Sequence, residues 1–195
     1  MKLQFYDDMI PGTKLKRSDM EGLTGLAFLK KVFFISDGVM LTQIRDISGI
    51  DSSTLQNWTK RGWVANSKLK KYNIDQVAHI LIINMLRSCM QLDKIAFLIG
   101  YINGKLDDLS DDIISDSILY DYICRILVNI MENGSCALSA LKERIEQITA
   151  DYVEPVAGAR ERLDNALEVI IVTYYAALIK QHATTVLDRI EGINE

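Results

Sequence analysis

Proline is almost missing from this sequence: there are two in 195 residues, Pro11 and Pro155, beside eleven glycines. That scarcity excludes polyproline and collagen-like architectures and leaves room for long, uninterrupted helices. Cysteine is equally sparse. Cys89, Cys124 and Cys136 share no short ligand spacing, which argues against a zinc-finger framework. Their odd number, each beside apolar residues, is expected of small buried hydrophobes in a reducing compartment. The two histidines, His79 and His182, lie far apart on largely apolar segments, where a core or boundary role is expected rather than that of a catalytic base. No glycine-rich phosphate loop, nucleophile elbow or paired metal motif occurs, so neither catalysis nor a cofactor or metal is expected. Long apolar runs are missing as well. Ile80–Leu86 is broken by Asn84 and Val169–Ile179 follows Glu168, both short of the roughly 20 residues that span a bilayer. The opening MKLQFYDDMIPG has no apolar run after Lys2, so a cytoplasmic protein without a membrane partner is expected.

What is present is the composition of a folded chain: 49% apolar and 25% charged residues, enough for one domain or two small ones. The net charge of −4 hides a division, because residues 41–104 carry eight Lys/Arg against four Asp/Glu, whereas residues 105–195 carry eight against seventeen. The middle of the chain is therefore able to meet phosphate even though the whole is acidic.

Hydrophobic spacing gives helices almost throughout. Residues 1–17 show no clear period and read as an arm. Ser18 and Glu21 fit a capping box for a helix running to about Ile35. Ile74–Met90 is apolar on most faces and reads as a central helix. A shorter helix starts near Gln91 and stops near Asn103-Gly104. The acidic tract Asp107–Asp116 is expected to cap the next helix, since Asp107, Asp108, Asp111 and Asp112 lack the glycine and glutamate of a calcium loop. Paired apolar residues then mark that helix over 118–131. Leu138, Leu141, Ile145, Ile148 and Tyr152 form a narrow seam suited to a helix pair. Leu163, Leu167, Ile170, Tyr174 and Leu178, with Val186 and Ile190 farther on, mark a final helix of about 30 residues. Lys142-Glu143-Arg144 and Arg160-Glu161-Arg162 read as solvated faces making weak ion pairs. Tyr120, Tyr122, Tyr152, Tyr174 and Tyr175 are expected mostly in the core, with a small-molecule effector pocket as the alternative. The class is all-α with a small β wing, organised as an N-terminal arm and helix (1–36), a central unit (37–104) and an acidic helical domain (105–195).

The informative stretch is Leu41–Trp63, LTQIRDISGIDSSTLQNWTKRGW. Thr42 is a good N-cap for a two-turn helix that buries Leu41, Ile44 and Ile47. Gly49 suits a sharp turn. Asp51 can cap the next helix, with Ile50 and Leu55 as a hydrophobic staple. That helix buries Leu55 and Trp58 and leaves Ser52, Ser53, Gln56, Asn57 and Lys60 on other faces. This is the helix-turn-helix layout, whose second helix enters the major groove. Gln and Asn match the donor and acceptor edge of adenine, serines admit close backbone approach, and a helix N-terminus attracts phosphate. Lys60, Arg61, Lys68, Lys70 and Lys71 then crowd into twelve positions without an acid, a basic turn closed by Tyr72. The other reading of the same residues is a protein-interaction adaptor that keeps the helix-turn-helix shape without binding DNA.

From Thr42 through GIDSSTLQNWTKRGWV to KKYNIDQVAHILIINMLR, the chain resembles the N-terminal module of MerR-type regulators. The shared pattern is a cap and turn before a recognition helix, then Gly62-Trp63-Val64, a basic wing ending in Tyr, and a third helix rich in Ile and Leu. It is more similar still, over roughly residues 5–130, to an uncharacterised bacterial family, domain of unknown function 1836. The resemblance implies a winged helix-turn-helix regulator that binds double-stranded DNA, with Ser52, Ser53, Gln56 and Asn57 facing bases and Lys68, Lys70 and Lys71 in the wing. The chain departs from the MerR pattern where Gln56-Asn57-Trp58 stands in place of an Arg followed by two Tyr. Nor does its C-terminal part show the ligand cysteines of the metal-sensing members. Because one recognition helix reads only a short half-site, a homodimer is expected, joined through the seam at Leu138–Tyr152 and the long helix after Gly158.

Overall fold

The computed structural model describes residues 8–34, 36–104, 111–133 and 138–192. Asp107, Asp108, Cys136 and Ile35 lie outside them. The described chain is mostly helical: α1 (Gly25–Val32), α2 (Leu41–Ser48), α3 (Ser52–Lys60), α4 (Ile74–Leu86), α5 (Leu92–Asn103), α6 (Asp116–Glu132), α7 (Leu138–Ile148) and α8 (Ala159–Ile190). One two-stranded antiparallel sheet pairs β1 (Val39–Met40) with β2 (Lys71–Tyr72), Val39 opposite Tyr72 and Met40 opposite Lys71. Among the described residues no helix is long and apolar enough to cross a membrane.

The centre is α4. Asn73 and Gln76 cap it reciprocally, side chain to backbone amide at 2.8 and 3.0 Å, the capping box that satisfies two free amides at a helix start. From there Val77 to Ile83 are all buried, as the all-round apolar sequence requires. The helices α1, α2, α5, α6 and α8 pack around it. Each fully buried Ile or Leu contributes about 1.5–3 kcal/mol relative to exposure. The three segments set apart on sequence share this one core, which runs from Ile10 to Tyr174.

Residues 8–17 are part of that core. Ile10 is fully buried, and the Tyr120 hydroxyl donates to the Pro11 carbonyl at 2.7 Å. Gly12 has φ +75°, and a Cβ there would stand 2.3 Å from the Leu81 carbonyl oxygen; no other residue lets the chain lie so close on α4. The expected helix start at Ser18 is corrected. Ser18–Met20 is a single 3-10 turn, Glu21 is left-handed at φ 58°, and the Ser18 hydroxyl donates to Asp8 instead. The helix begins at Gly25, its Leu26 amide capped by Asp121 of α6 at 2.8 Å. A cap borrowed from ninety-five positions away is invisible to local spacing.

In the C-terminal part, α7 turns Leu141 and Ile145 into the core against α6 and α8. The seam expected to join two copies is thus used inside one. Arg160 and Arg162 are half-buried and bonded within the fold rather than free on a solvated face. Arg160 donates to the Thr149 carbonyl at 2.9 Å and the Tyr152 carbonyl at 2.8 Å, and its guanidinium lies over the Tyr152 ring. Arg162 donates to the carbonyls of Tyr101 and Ile102. Arg162 thereby satisfies orphan carbonyls in the last turn of α5, and Arg160 binds the chain just past the end of α7, where a cation is favourable. Cys124 is buried as expected, but Cys89 is exposed in the turn after α4. Tyr120, Tyr122 and Tyr174 are core residues.

Candidate nucleic-acid interface

The α2–α3 corner forms much as local chemistry dictates. Gly49 adopts φ 73° between the helices. Ile50 and Leu55, the two halves of the staple, are 2% and 1% exposed. The Asp51 carboxylate accepts the Thr54 amide at 2.8 Å and the hydroxyls of Ser53 and Thr54. Only the first cap differs. Met40, not Thr42, precedes α2, and its amide donates to Gln43 Oε1 at 2.8 Å, because β1 holds Met40 extended against Lys71. The corner is fastened from behind: Ser48 Oγ accepts the Ile50 amide, and Asn84 of α4 donates to the carbonyls of Ser48 and Gly12 at 3.0 and 2.8 Å.

Leu55 and Trp58 fill the inner face of α3, and Ser53, Gln56, Asn57 and Lys60 are exposed on the outer one, with Ser52 half-buried. Arg61 is exposed, its Nε 3.4 Å from Asn57 Oδ1 and its guanidinium 5.1 Å from the centre of the Trp63 ring. Lys68, Lys70 and Lys71 are exposed on a hairpin. Lys68 and Lys71 exchange both backbone hydrogen bonds, and Lys71 also belongs to β2. Through the β1 pairing the hairpin is therefore tied directly to the start of α2. Gly38 makes that pairing possible, since a Cβ there would stand 2.9 Å from Lys71 Cβ.

Two features of this surface escape a reading of sequence. Hydrogen bonds from Ser53 and Thr54 hold the Asp51 carboxyl far below the usual carboxylate range. The start of α3 is consequently a permanent negative charge with the Thr54 amide already capped, which removes the expected phosphate seat there and leaves anion contacts to the lysines and Arg61. Lys14 adds a cation beside the turn: its amide donates to the Ile47 carbonyl at 2.9 Å, and a Cβ on Gly49 would lie 3.8 Å from its side chain.

Behind the surface lies His79, 4% exposed. Its Nδ1 is 2.8 Å from Asp116 Oδ2 and its Nε2 is 2.9 Å from the Trp63 carbonyl oxygen. Both neighbours offer oxygen acceptors, an arrangement that favours the doubly protonated ring. Burial opposes that charge, but the Asp116 hydrogen bond and charge, the Trp63 carbonyl and the Asp112 charge outweigh it and raise the pKa above the ordinary imidazole value. The pair joins the segment leaving α3 to the start of α6, whose Ser117 amide is in turn capped by Asp75 of α4 at 3.0 Å. Asp116 thus serves a histidine rather than its own helix end. A cavity of about 170 Å³ beside it is lined by Trp63, Ile99, Asn103, Asp112 and Asp116. A wider groove of about 540 Å³ runs between α8 and residues 9–13, with Tyr174 and Leu178 in its wall. Among the described residues there is no group of three or more His, Cys, Asp or Glu placed to hold a metal ion.

A last feature is on α8. Its inner face carries Leu163, Leu167, Ile170 and Tyr174 into the core. Half a turn away, Val169, Val172, Ala176, Ile179, Ala183, Val186 and Ile190 are exposed, and they alternate steps of three and four without a break. The inner stripe masks this second one in any sequence window, since together they make the helix apolar on two sides.

The family model described as Domain of unknown function (DUF1836) matches residues 14–123, more than half of the chain. The chain is also similar to the Uncharacterized protein YkrK of Bacillus subtilis (strain 168), 29% identical over 117 residues, covering 57% of this chain and 50% of that protein. The chain spans about half the length of this curated relative. No solved structure matches.

Proposed function

This chain belongs to the DUF1836 family, and we propose that it is a sequence-specific DNA-binding regulator with a MerR-like winged helix-turn-helix at residues 37–104. The observation that carries this reading is the pairing of an outward polar face on α3 with a basic hairpin anchored to the same corner. In the proposed complex α3 enters the major groove, Gln56 and Asn57 meet base edges, and Lys60, Arg61, Lys68, Lys70 and Lys71 neutralise phosphates. Ser53 contributes through its small size, because its hydroxyl proton is committed to Asp51.

The outer stripe of α8 supports a homodimer. Paired antiparallel, with Ala176 on Ile179 and Val172 on Ala183 of a second copy, the central layers each set a small residue against a β-branched one, and Val169 meets Val186 outside them. The same register brings Glu168 to Arg189 of the second copy and keeps the two Lys180 ammonium groups apart.

Selection of bound fragments from random duplex DNA tests the proposal. Recovered duplexes should bind with an affinity that falls steeply with salt, and Lys70→Gln with Lys71→Gln should flatten the log–log slope by about two at most. An affinity independent of salt, or no enriched sequence, would overturn it. The fixed charge of Asp51 favours one other reading, an interaction adaptor on the same scaffold. Such an adaptor would enrich no duplex even after Asp51→Asn removes that charge.

A further inference from the structure

The hairpin tip carries a side chain that phosphate contacts leave unused. Leu69 is 96% exposed. It is the first of two residues between Lys68 and Lys71, and both it and Lys70 have positive φ, 52° and 64°. Two left-handed residues closed by a reciprocal hydrogen-bonded pair make a type I′ turn, the natural place for Asn-Gly. A leucine there sets its Cβ against the following carbonyl. It is doubly out of place, strained in its backbone and unburied in its side chain.

A lone exposed leucine on an ordinary surface needs no explanation. This one stands at the apex of a two-residue turn closed by paired backbone hydrogen bonds, between three exposed lysines. The surface it suits is polyanionic at its rims and apolar within. The minor groove of duplex DNA has that character: phosphates border it, and an apolar wedge pressed between base steps partly unstacks them and bends the duplex.

We propose that Leu69 is a minor-groove wedge, entering at a flexible pyrimidine–purine step beside the bases met by α3. This rests on the DNA-binding reading above and deepens it. The basic turn then does more than neutralise charge: the lysines hold the rims while the leucine reads how readily the step opens. Part of the sequence preference would come from deformability, at positions where no side chain touches a base edge.

The test uses the full chain and a duplex recovered by selection, labelled at its ends for energy transfer and carrying 2-aminopurine at the candidate step. Leu69→Asn fits the left-handed turn, keeps the charge and removes the wedge; Leu69→Met keeps an apolar tip. Leu69→Asn should melt higher than the parent protein yet bind roughly tenfold more weakly, with the end-to-end distance lengthened and 2-aminopurine quenched again. Its salt slope should be unchanged, since no phosphate contact is lost. Leu69→Met should bend the duplex as the parent does. If the parent binds the selected duplex but Leu69→Asn bends and unstacks it equally, the wedge is overturned and the DNA-binding reading stands. If the parent enriches no duplex, both fall.

Discussion

The join between His79 and Asp116 allows a quantitative test of how the α3–hairpin unit is held to the rest of the protein. Asp116→Ala removes one partner of a buried, hydrogen-bonded pair and leaves the imidazole facing the Trp63 carbonyl alone. Breaking such a pair costs roughly 3–5 kcal/mol. The Asp116 side chain is 17% exposed, which places the expected cost near the lower end, about 3 kcal/mol. For a chain of this size that corresponds to a fall in Tm of about 6–12 °C. The pH dependence gives a second, independent readout. A histidine whose pKa is raised by folding contributes stability that is complete below the unfolded value near 6.5 and is lost as pH rises through the folded value. Thermal melts of the parent should therefore decline from about pH 6.5 upward, and Asp116→Asn should flatten that decline, because a neutral amide no longer favours the charged ring. Nitrogen-detected NMR of the imidazole would show the ring losing its second proton at a pH above the ordinary imidazole value. A His79 that titrates at or below the ordinary imidazole value, or an Asp116→Asn protein with the parent's pH profile, would refute the reasoning.

Other expected outcomes come from single contacts. Gly12→Ala forces a Cβ onto the Leu81 carbonyl from a left-handed backbone, and should cost about 2–4 kcal/mol in a denaturant melt. Burial pushes the Cys124 thiol up to about 11, so iodoacetamide at neutral pH should label the exposed Cys89 and leave Cys124 unlabelled by peptide mapping until the protein unfolds. Ile179→Asp places a charge in the outer stripe of α8 and should shift sedimentation from dimer to monomer while leaving Tm at low concentration within a few degrees; a parent that sediments as a monomer at high concentration would refute that surface.

What the sequence made legible was whatever chemistry acts over a few residues. Asp51 caps α3 because Ser53 and Thr54 come directly after it, Leu55 and Trp58 turn inward because they are three apart, and α4 sits at the centre because it has no polar face. Lys68 to Tyr72 form a hairpin joined to β1, in keeping with the expected small β wing. The failures share a different cause. Ser18 loses its helix to Gly22 and Gly25 and bonds Asp8. Arg160 and Arg162 look solvated in sequence, yet each finds carbonyls on another turn of chain. Asp116 is claimed by His79 from thirty-seven positions away. The partners of Arg162 and Asp116 come from distant segments, and those of Ser18 and Arg160 from eight to eleven positions away, all beyond the three- and four-residue spacing a helix reading uses. The α8 outer stripe was obscured differently, by a second apolar face overlaid on it.

A single side-chain amide on the central helix, that of Asn84, grips two backbone carbonyls, at Gly12 and Ser48. It thereby fixes the pose of the corner without using any of the outward residues. Gln56, Asn57 and Lys60 stay exposed, Asn57 making only a long side-chain contact with Arg61 of the same helix end. Substitutions at these positions carry little thermodynamic risk, so the chemistry of this face can change while the architecture stays put.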